Sequence, residues 1–212
     1  MADMVGISEA LRLGKARAVK GLVQQAIDEG VPAKRILEEG LLDGMGAISD
    51  RFKDNMAYVP DVLIAARAMK AGLELLKPLL AESGVEAKGK VVLGTVRGDL
   101  HDIGKNLVRM MMEGRGLDVI DLGVDVPAEK FVEVAKDQGA QVIALSALLT
   151  TTMGEMKGVV DAVRAQGLGG RMKVMVGGAP VNEDFCRNIG ADAYQPDAAS
   201  AADAAVEICA RA

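Results

Sequence analysis

Tryptophan is absent from this sequence, histidine occurs once, and only two tyrosines and three phenylalanines are present. A core with so few large rings has to be filled by Val, Leu, Ile, Ala and Met, and apolar residues make up half the chain, enough for a substantial core. The two cysteines, Cys186 and Cys209, show no metal-site spacing, which suits a reducing compartment. No apolar run approaches the roughly 20 residues that span a bilayer. The N-terminal stretch MADMVGISEALRLGKARAV lacks the charged segment, apolar stretch and cleavage site of a signal peptide. Lys and Arg are scattered and outnumbered, 25 against 30 acidic residues, so the net charge is −5 and nothing supports phosphate-backbone binding. The expectation is a soluble cytoplasmic protein with neither a nucleic acid nor a membrane as partner.

Glycine, by contrast, is abundant: 25 of 212 residues, well above the usual ~7%. That excess predicts tight turns and places where backbone approaches something closely. Apolar periodicity divides the chain in two. Residues 1 to about 81 read as helical. Val19, Leu22, Val23, Ala26 and Ile27 form one stripe, stopped by Gly30 and Pro32. Leu41, Met45, Ile48 and Phe52 continue the three-and-four spacing. Val62, Ala66, Met69, Leu73, Leu76 and Leu80 read as the seam of a bundle helix that Pro60 and Asp61 suit at its start. Four or so such helices can bury one another as a small bundle.

The small and charged stretch AESGVEAKGK, 81–90, then looks like a linker, and β-branched runs alternate with helical segments beyond it. Strands are predicted at 90–96, 117–122, 141–147 and 173–178, with a weaker one at 192–195. Helices are predicted near 103–114, 127–138, 153–166, 181–189 and 197–210. Such alternation implies a parallel sheet covered on both faces. The predicted class is α/β: a helical domain over 1–85, then a Rossmann-like, flavodoxin-type doubly wound sheet of five strands over 86–212. Ligands of such sheets bind at the carboxyl ends of the strands. Three loops reach that edge: GDLHDIG after the first strand, SALLTTT after the third and GGAP after the fourth.

The single histidine, His101, lies in the first of these loops. Taken alone it reads as a solvated or hydrogen-bonded side chain, and one imidazole is too few for a zinc site. Ser146 lies in no G-x-S-x-G elbow, no Walker loop is present, and GTVRGD has too few glycines for a dinucleotide fingerprint. A site that needs only one protein imidazole is a macrocycle-bound metal whose other positions the cofactor fills. In an extended Asp99-x-His101 both side chains share a side, so the carboxylate can take the far ring N–H and fix the tautomer. Gly104 lets the loop turn sharply into a helix.

Asp99, His101 and Gly104 match the Asp-x-His-x-x-Gly signature of cobalamin-binding domains, and Ser146-Ala147-Leu148 and Gly177-Gly178 match that family's two further motifs in order. The whole chain resembles the two-domain corrinoid proteins of methyltransferase systems. Its helical segment EEGLLDGMGAISDRFKDNMAYVPDVLIAARAMKAG is similar to the cap of cobalamin-dependent methionine synthase. The resemblance implies a corrinoid cofactor cycling between cob(I)alamin and methylcobalamin, with His101 as lower axial cobalt ligand. Asp99 would hold the ring and Ser146 would extend the relay, the alternative for both being simple loop capping. Gly177 and Gly178 would leave room for the displaced nucleotide tail, unless they form a plain strand-to-helix turn. Leu148 and Thr150 would line the same channel, and Gly98, Asp102, Ile103 and Gly104 would lie against the cofactor. Asp102 has no place in the relay, its position at the start of a helix accounting for it. The 121–127 segment would touch the corrin edge. Tyr58, Val59 and Leu63 of the cap would face the methyl group, the alternative being bundle core. The run Met110–Met112 reads as core rather than as sulfur ligands.

The activity implied is methyl carriage. A substrate-specific methyltransferase loads Co(I), and the methyl group passes from methyl-Co(III) to a second methyltransferase whose acceptor is tetrahydrofolate or coenzyme M. A reductive activation protein would complete the set. With no room for a catalytic barrel, the chain would be a non-autonomous subunit, with the 81–90 linker and its Gly84 and Gly89 as the hinge of a moving cap. Methanol, methylamines, quaternary amines and methyl ethers all feed similar carriers, the donor being recognised by the partner. Two other readings are a cobalamin-based sensor, which lacks a basic recognition helix here, and the cobalamin subunit of a radical mutase, which the helical cap disfavours.

Overall fold

The structure is a computed structural model that describes residues 3–211. The chain divides into two compact units, the first ending at Ala87 and the second beginning at Lys88, with residues Gly114–Gly116 grouped with the first.

In the first unit, α1 (Met4–Arg12) starts where Asp3 accepts the Gly6 N–H, and α2 (Ala16–Asp28) follows. The next helix is continuous through α3 (Ala33–Arg35), a π-helical stretch (Ile36–Leu42) and α4 (Asp43–Lys53). The 24-residue α5 (Val59–Glu82) begins with the Asp61 carboxylate accepting the Tyr58 N–H at 2.8 Å. Val62, Ala65, Met69, Gly72 and Leu76 are its buried seam. The small residues thus differ from the predicted stripe, Ala65 and Gly72 replacing Ala66 and Leu73. The reason is close approach: a Cβ on Gly72 would stand 2.9 Å from Leu41 and 3.2 Å from Val19. Seven-residue steps with small residues between them bring neighbouring helices in tightly, which a large side chain there would forbid.

The second unit is a five-stranded parallel sheet in the order β2-β1-β3-β4-β5, the flavodoxin-type order. Its strands are β1 (Lys90–Thr95), β2 (Asp118–Asp121), β3 (Val142–Ser146), β4 (Lys173–Gly177) and β5 (Ala193–Tyr194). The connecting helices are α6 (Ile103–Gly114), α7 (Ala128–Gln138), α8 (Met153–Ala165), α9 (Glu183–Ile189) and α10 (Ala198–Arg211). Val92, Ile143, Leu145, Val174 and Val176 face one side, packed with Phe131, Val132, Met156 and Val160 of α7 and α8. Alternate residues face the other side, where Leu93, Ala144 and Met175 pair in one row and Thr95, Ser146 and Gly177 in the row at the carboxyl edge. Met111 and Met112 of α6 are buried, as core packing requires.

Gly84 is open, with φ +65° and no atom within 4 Å of a Cβ placed on it. Gly89 is different: a Cβ there would fall 2.3 Å from the Cys209 Cβ, and its carbonyl accepts the Asp118 N–H. Gly89 is therefore docked on the sheet unit and is not a free hinge, while α5 takes in residues 81 and 82. The linker contracts to about residues 83–88.

Candidate functional site

The loop after β1 turns at Gly98, whose φ of +78° is the left-handed conformation that glycine adopts without strain. Gly104, by contrast, has no positive φ and sits in the first turn of α6. The sharp bend expected at Gly104 is thus made at Gly98. What Gly104 contributes is bare space, since nothing lies within 4 Å of a Cβ placed there.

Asp99 is fully buried. Its Oδ1 accepts the His101 ring Nδ1–H at 2.7 Å and the His101 backbone N–H at 3.1 Å. Its Oδ2 accepts the Leu148 N–H at 2.8 Å, the Leu149 N–H at 3.2 Å and the Thr152 hydroxyl at 2.8 Å. Burial pushes the carboxyl pKa up, but the hydrogen bonds from His101, Leu148 and Thr152 outweigh it and hold the group well below the ordinary carboxylate range. An ionised carboxylate only accepts, so Nδ1 carries a proton toward Asp99 and Nε2 is the ring nitrogen left to face a ligand. The His101 side chain is half exposed, and Nε2 has no partner among the described residues.

Two further groups secure the loop. The buried Thr95 hydroxyl donates to the His101 carbonyl at 2.8 Å. From the 121–127 segment, the Asp125 carboxylate accepts the Gly98 N–H at 2.7 Å while its own N–H donates to the Asp99 carbonyl at 3.0 Å. Asp125 holds φ +54° to do so, a conformation Asp tolerates better than most residues. Below the loop, Lys105 is buried and its ammonium donates to both Asp121 oxygens, at 2.6 and 2.7 Å, and to the Asn106 side-chain oxygen at 3.0 Å. Burial raises the Asp121 pKa, yet Lys105, the Gly123 N–H and Arg109 together bring it below its usual value.

Ser146 is not among the partners of Asp99. It ends β3 on the face opposite to that of Leu145 and lines a slot, while the chain beyond it turns over the Asp99 carboxylate and delivers Thr152 instead. The same turn carries Leu148 and Thr150 away from the slot, and both side chains are exposed at the edge. Leu148, Leu149, Leu100 and Ile103 form an exposed aliphatic fringe around His101, Ile103 being 80% exposed. Asp102 precedes α6 and accepts from the Asn106 side chain, a local helix-start contact.

The slot, about 300 Å³, runs down between α6, α10 and one face of the sheet. Gly104, Ser146 and Gly177 border it. The two glycines of the third motif have separate physical reasons. A Cβ on Gly178, which has φ +127°, would lie 1.9 Å from the Ala147 carbonyl oxygen, so this position locks the third loop onto the second. A Cβ on Gly177 would meet only the Gln195 carbonyl, at 3.7 Å, and would otherwise fill the slot. In the first unit, Tyr58 (70% exposed), Val59 and Leu63 lie exposed at the start of α5, with Ile64 and Met56 beside them in sequence. They are not bundle core.

Among the described residues no cluster of three or more His, Cys, Asp or Glu side chains can hold a metal ion. A metal drawn to Nε2 has to bring its other ligands with it. One oriented imidazole at a sheet edge, beside a deep slot, is the arrangement that a metal macrocycle with a tail would require. The chain belongs to the cobalamin-binding corrinoid proteins of methyltransferase systems: residues 89–206 match the B12 binding domain family, and residues 6–77 match a second family of the same description. A corrinoid protein of Desulfitobacterium hafniense is 41% identical over 205 residues, covering 95% of this chain and 93% of its own. Dimethylamine corrinoid protein 1 of Methanosarcina acetivorans is 42% identical over 197 residues, 92% of each. Among solved structures, a chain of the methanol:cobalamin methyltransferase complex of Methanosarcina barkeri superposes with a TM-score of 0.88 at 32% identity, over 99% of this chain and 80% of that one. These relatives lend no support to the mutase and sensor alternatives. The residues fit a corrinoid: Nε2 is free and exposed, and the glycine-bordered slot leaves a path for the tail.

Three contributors escaped the sequence reading: Thr152, Asp125 and Thr95. Each acts by a hydrogen bond to a loop whose path is set by the sheet, so no local spacing marks them.

Proposed function

We propose that this chain is the methyl-carrying corrinoid subunit of a multi-component methyltransferase system. It docks first on a substrate-specific methyltransferase and then on a second one that methylates tetrahydrofolate or coenzyme M. A reductive activation protein serves it, all in the cytoplasm. The observation that carries this reading is the Asp99–His101 pair, with Nδ1 tied to a buried carboxylate and Nε2 open to a metal. Support comes from relatives named for dimethylamine and from a structure of a methanol:cobalamin methyltransferase complex. No helix among the described residues is long and apolar enough to cross a membrane.

When bound, the corrinoid supplies a cobalt centre that carries the methyl group. The chain's residues do the rest. His101 would hold the cobalt through Nε2. Asp99 fixes the ring and its tautomer, and raises the donor strength of the free nitrogen. Thr152 and the Leu148 and Leu149 N–H groups hold Asp99 in place, the task expected of Ser146. Leu100, Ile103, Leu148 and Leu149 offer an apolar seat around the imidazole. Gly104 and Gly177 would leave room for the tail, and the exposed Tyr58, Val59 and Leu63 would offer the corrinoid an apolar cover.

The test is spectroscopic. Protein loaded with cobalamin should show protein imidazole on cobalt in place of the cofactor's own base, and His101→Ala should lose that signature. A variant that kept it would remove His101 from the site. Loaded protein should also take up methyl groups only when a cognate methyltransferase is added, and turnover of a donor by this chain alone would overturn the carrier role.

A further inference from the structure

Polarity in the slot is layered. At the carboxyl edge, the row of Ser146 and Gly177 is level with Gln195, and the Ser146 hydroxyl and Gln195 amide have no partner among the described residues. One row down, the wall is Leu93, Ala144 and Met175, joined by Met112 from α6, all buried and without a polar side-chain group. The charged residues that border the slot are already engaged. Lys105 is spent on Asp121 and Asn106, and the Asp197 carboxylate accepts the Ala199 and Ser200 N–H groups and the Ser200 hydroxyl at the start of α10.

Resting on the corrinoid reading above, we propose that this slot selects the base at the end of the corrinoid's tail, taking a benzimidazole and discriminating against a purine. The polar sugar and phosphate of the tail match the free groups at the edge, which leaves the terminal ring for the aliphatic row. A dimethylbenzimidazole presents methyl groups and an apolar edge there. An adenine presents an exocyclic amine and extra ring nitrogens, which lose water and find no donor or acceptor. Discrimination by polar groups left unpaired is stronger than discrimination by size alone. The thioethers of Met112 and Met175 suit the flat ring, since sulfur packs well against aromatic edges and adapts its shape.

The experiment titrates cofactor-free full-length protein with two cobamides that differ only in base, dimethylbenzimidazole or adenine, following protein imidazole on cobalt by absorbance. The benzimidazole form should bind at least tenfold more tightly, and Ala144→Ser, which adds a hydroxyl to the apolar row, should narrow the gap. Equal affinity, or preference for adenine, with imidazole on cobalt in both, would overturn the base selection while leaving the corrinoid site standing. A gap that Ala144→Ser leaves unchanged would show that this row does not meet the base. If neither cobamide acquired protein imidazole, the corrinoid reading and this one would fall together.

Discussion

Thr152 is the residue on which the candidate relay turns. Its hydroxyl donates to a buried, ionised carboxylate, and hydrogen bonds to charged groups contribute about 1.5–3 kcal/mol. Thr152→Val should therefore lower stability by that order and reduce the fraction of loaded protein with imidazole on cobalt, whereas Thr152→Ser should restore both. Absorbance of loaded protein and denaturant unfolding read the two effects separately. Why Thr152 was not legible, while His101 and Asp99 were, is a matter of range. The ring and carboxylate are two residues apart, and an extended spacing puts them together. Thr152 meets Asp99 across 53 positions, and it is one of three consecutive threonines of which the loop path buries only the last. The neighbouring Ser146 belongs to a readable motif, yet β3's alternation aims it at the slot.

At the level of elements, Gly177 and Gly178 separate folding from binding. Gly177→Ala should leave the thermal midpoint nearly unchanged and weaken corrinoid binding, because its Cβ would enter the slot. Gly178→Ala should cost stability outright, since it forces a Cβ against a backbone carbonyl at a positive φ. The α6–β2 pair of Lys105 and Asp121 makes a second prediction. The folded-state pKa of Asp121 lies below its ordinary value, so the folded chain binds fewer protons than the unfolded one in the window just below pH ~4. The stabilisation is present above that window and is lost as pH falls through it. Urea midpoints should drop more steeply below pH ~4 in the native chain than in Asp121→Asn. That variant should itself be less stable by about 3 kcal/mol, because it strands a buried ammonium. The strand and helix order was readable because hydrophobic period changes from 3.6 to 2 after residue 90. The Ala65–Gly72 seam was not readable, because it follows from how closely neighbouring helices approach rather than from periodicity, and no residue pattern marks the π-helical stretch Ile36–Leu42.

On the scale of the whole molecule, two units with separate cores are joined by a short exposed stretch. A glutamate-specific protease should cut first after Glu82 or Glu86 and yield two fragments, seen by mass spectrometry, before the glutamates within the helices of the sheet unit are touched. Each unit exposes its own set of large apolar side chains, Tyr58, Leu63 and Ile64 in one and Leu100, Ile103 and Leu148 in the other. Cofactor and partner would cover such surfaces in turn. The carboxylate of Asp99, gripping the imidazole with one oxygen and the 148–149 backbone with the other, also makes the chain a measuring device. Any pull on the His101 ring must be felt as a change in length of two amide hydrogen bonds nearly fifty residues away. The nitrogen–proton signals of Leu148 and Leu149 should then behave as a gauge whose needle moves with the state of the metal, legible by magnetic resonance even where colour gives no signal.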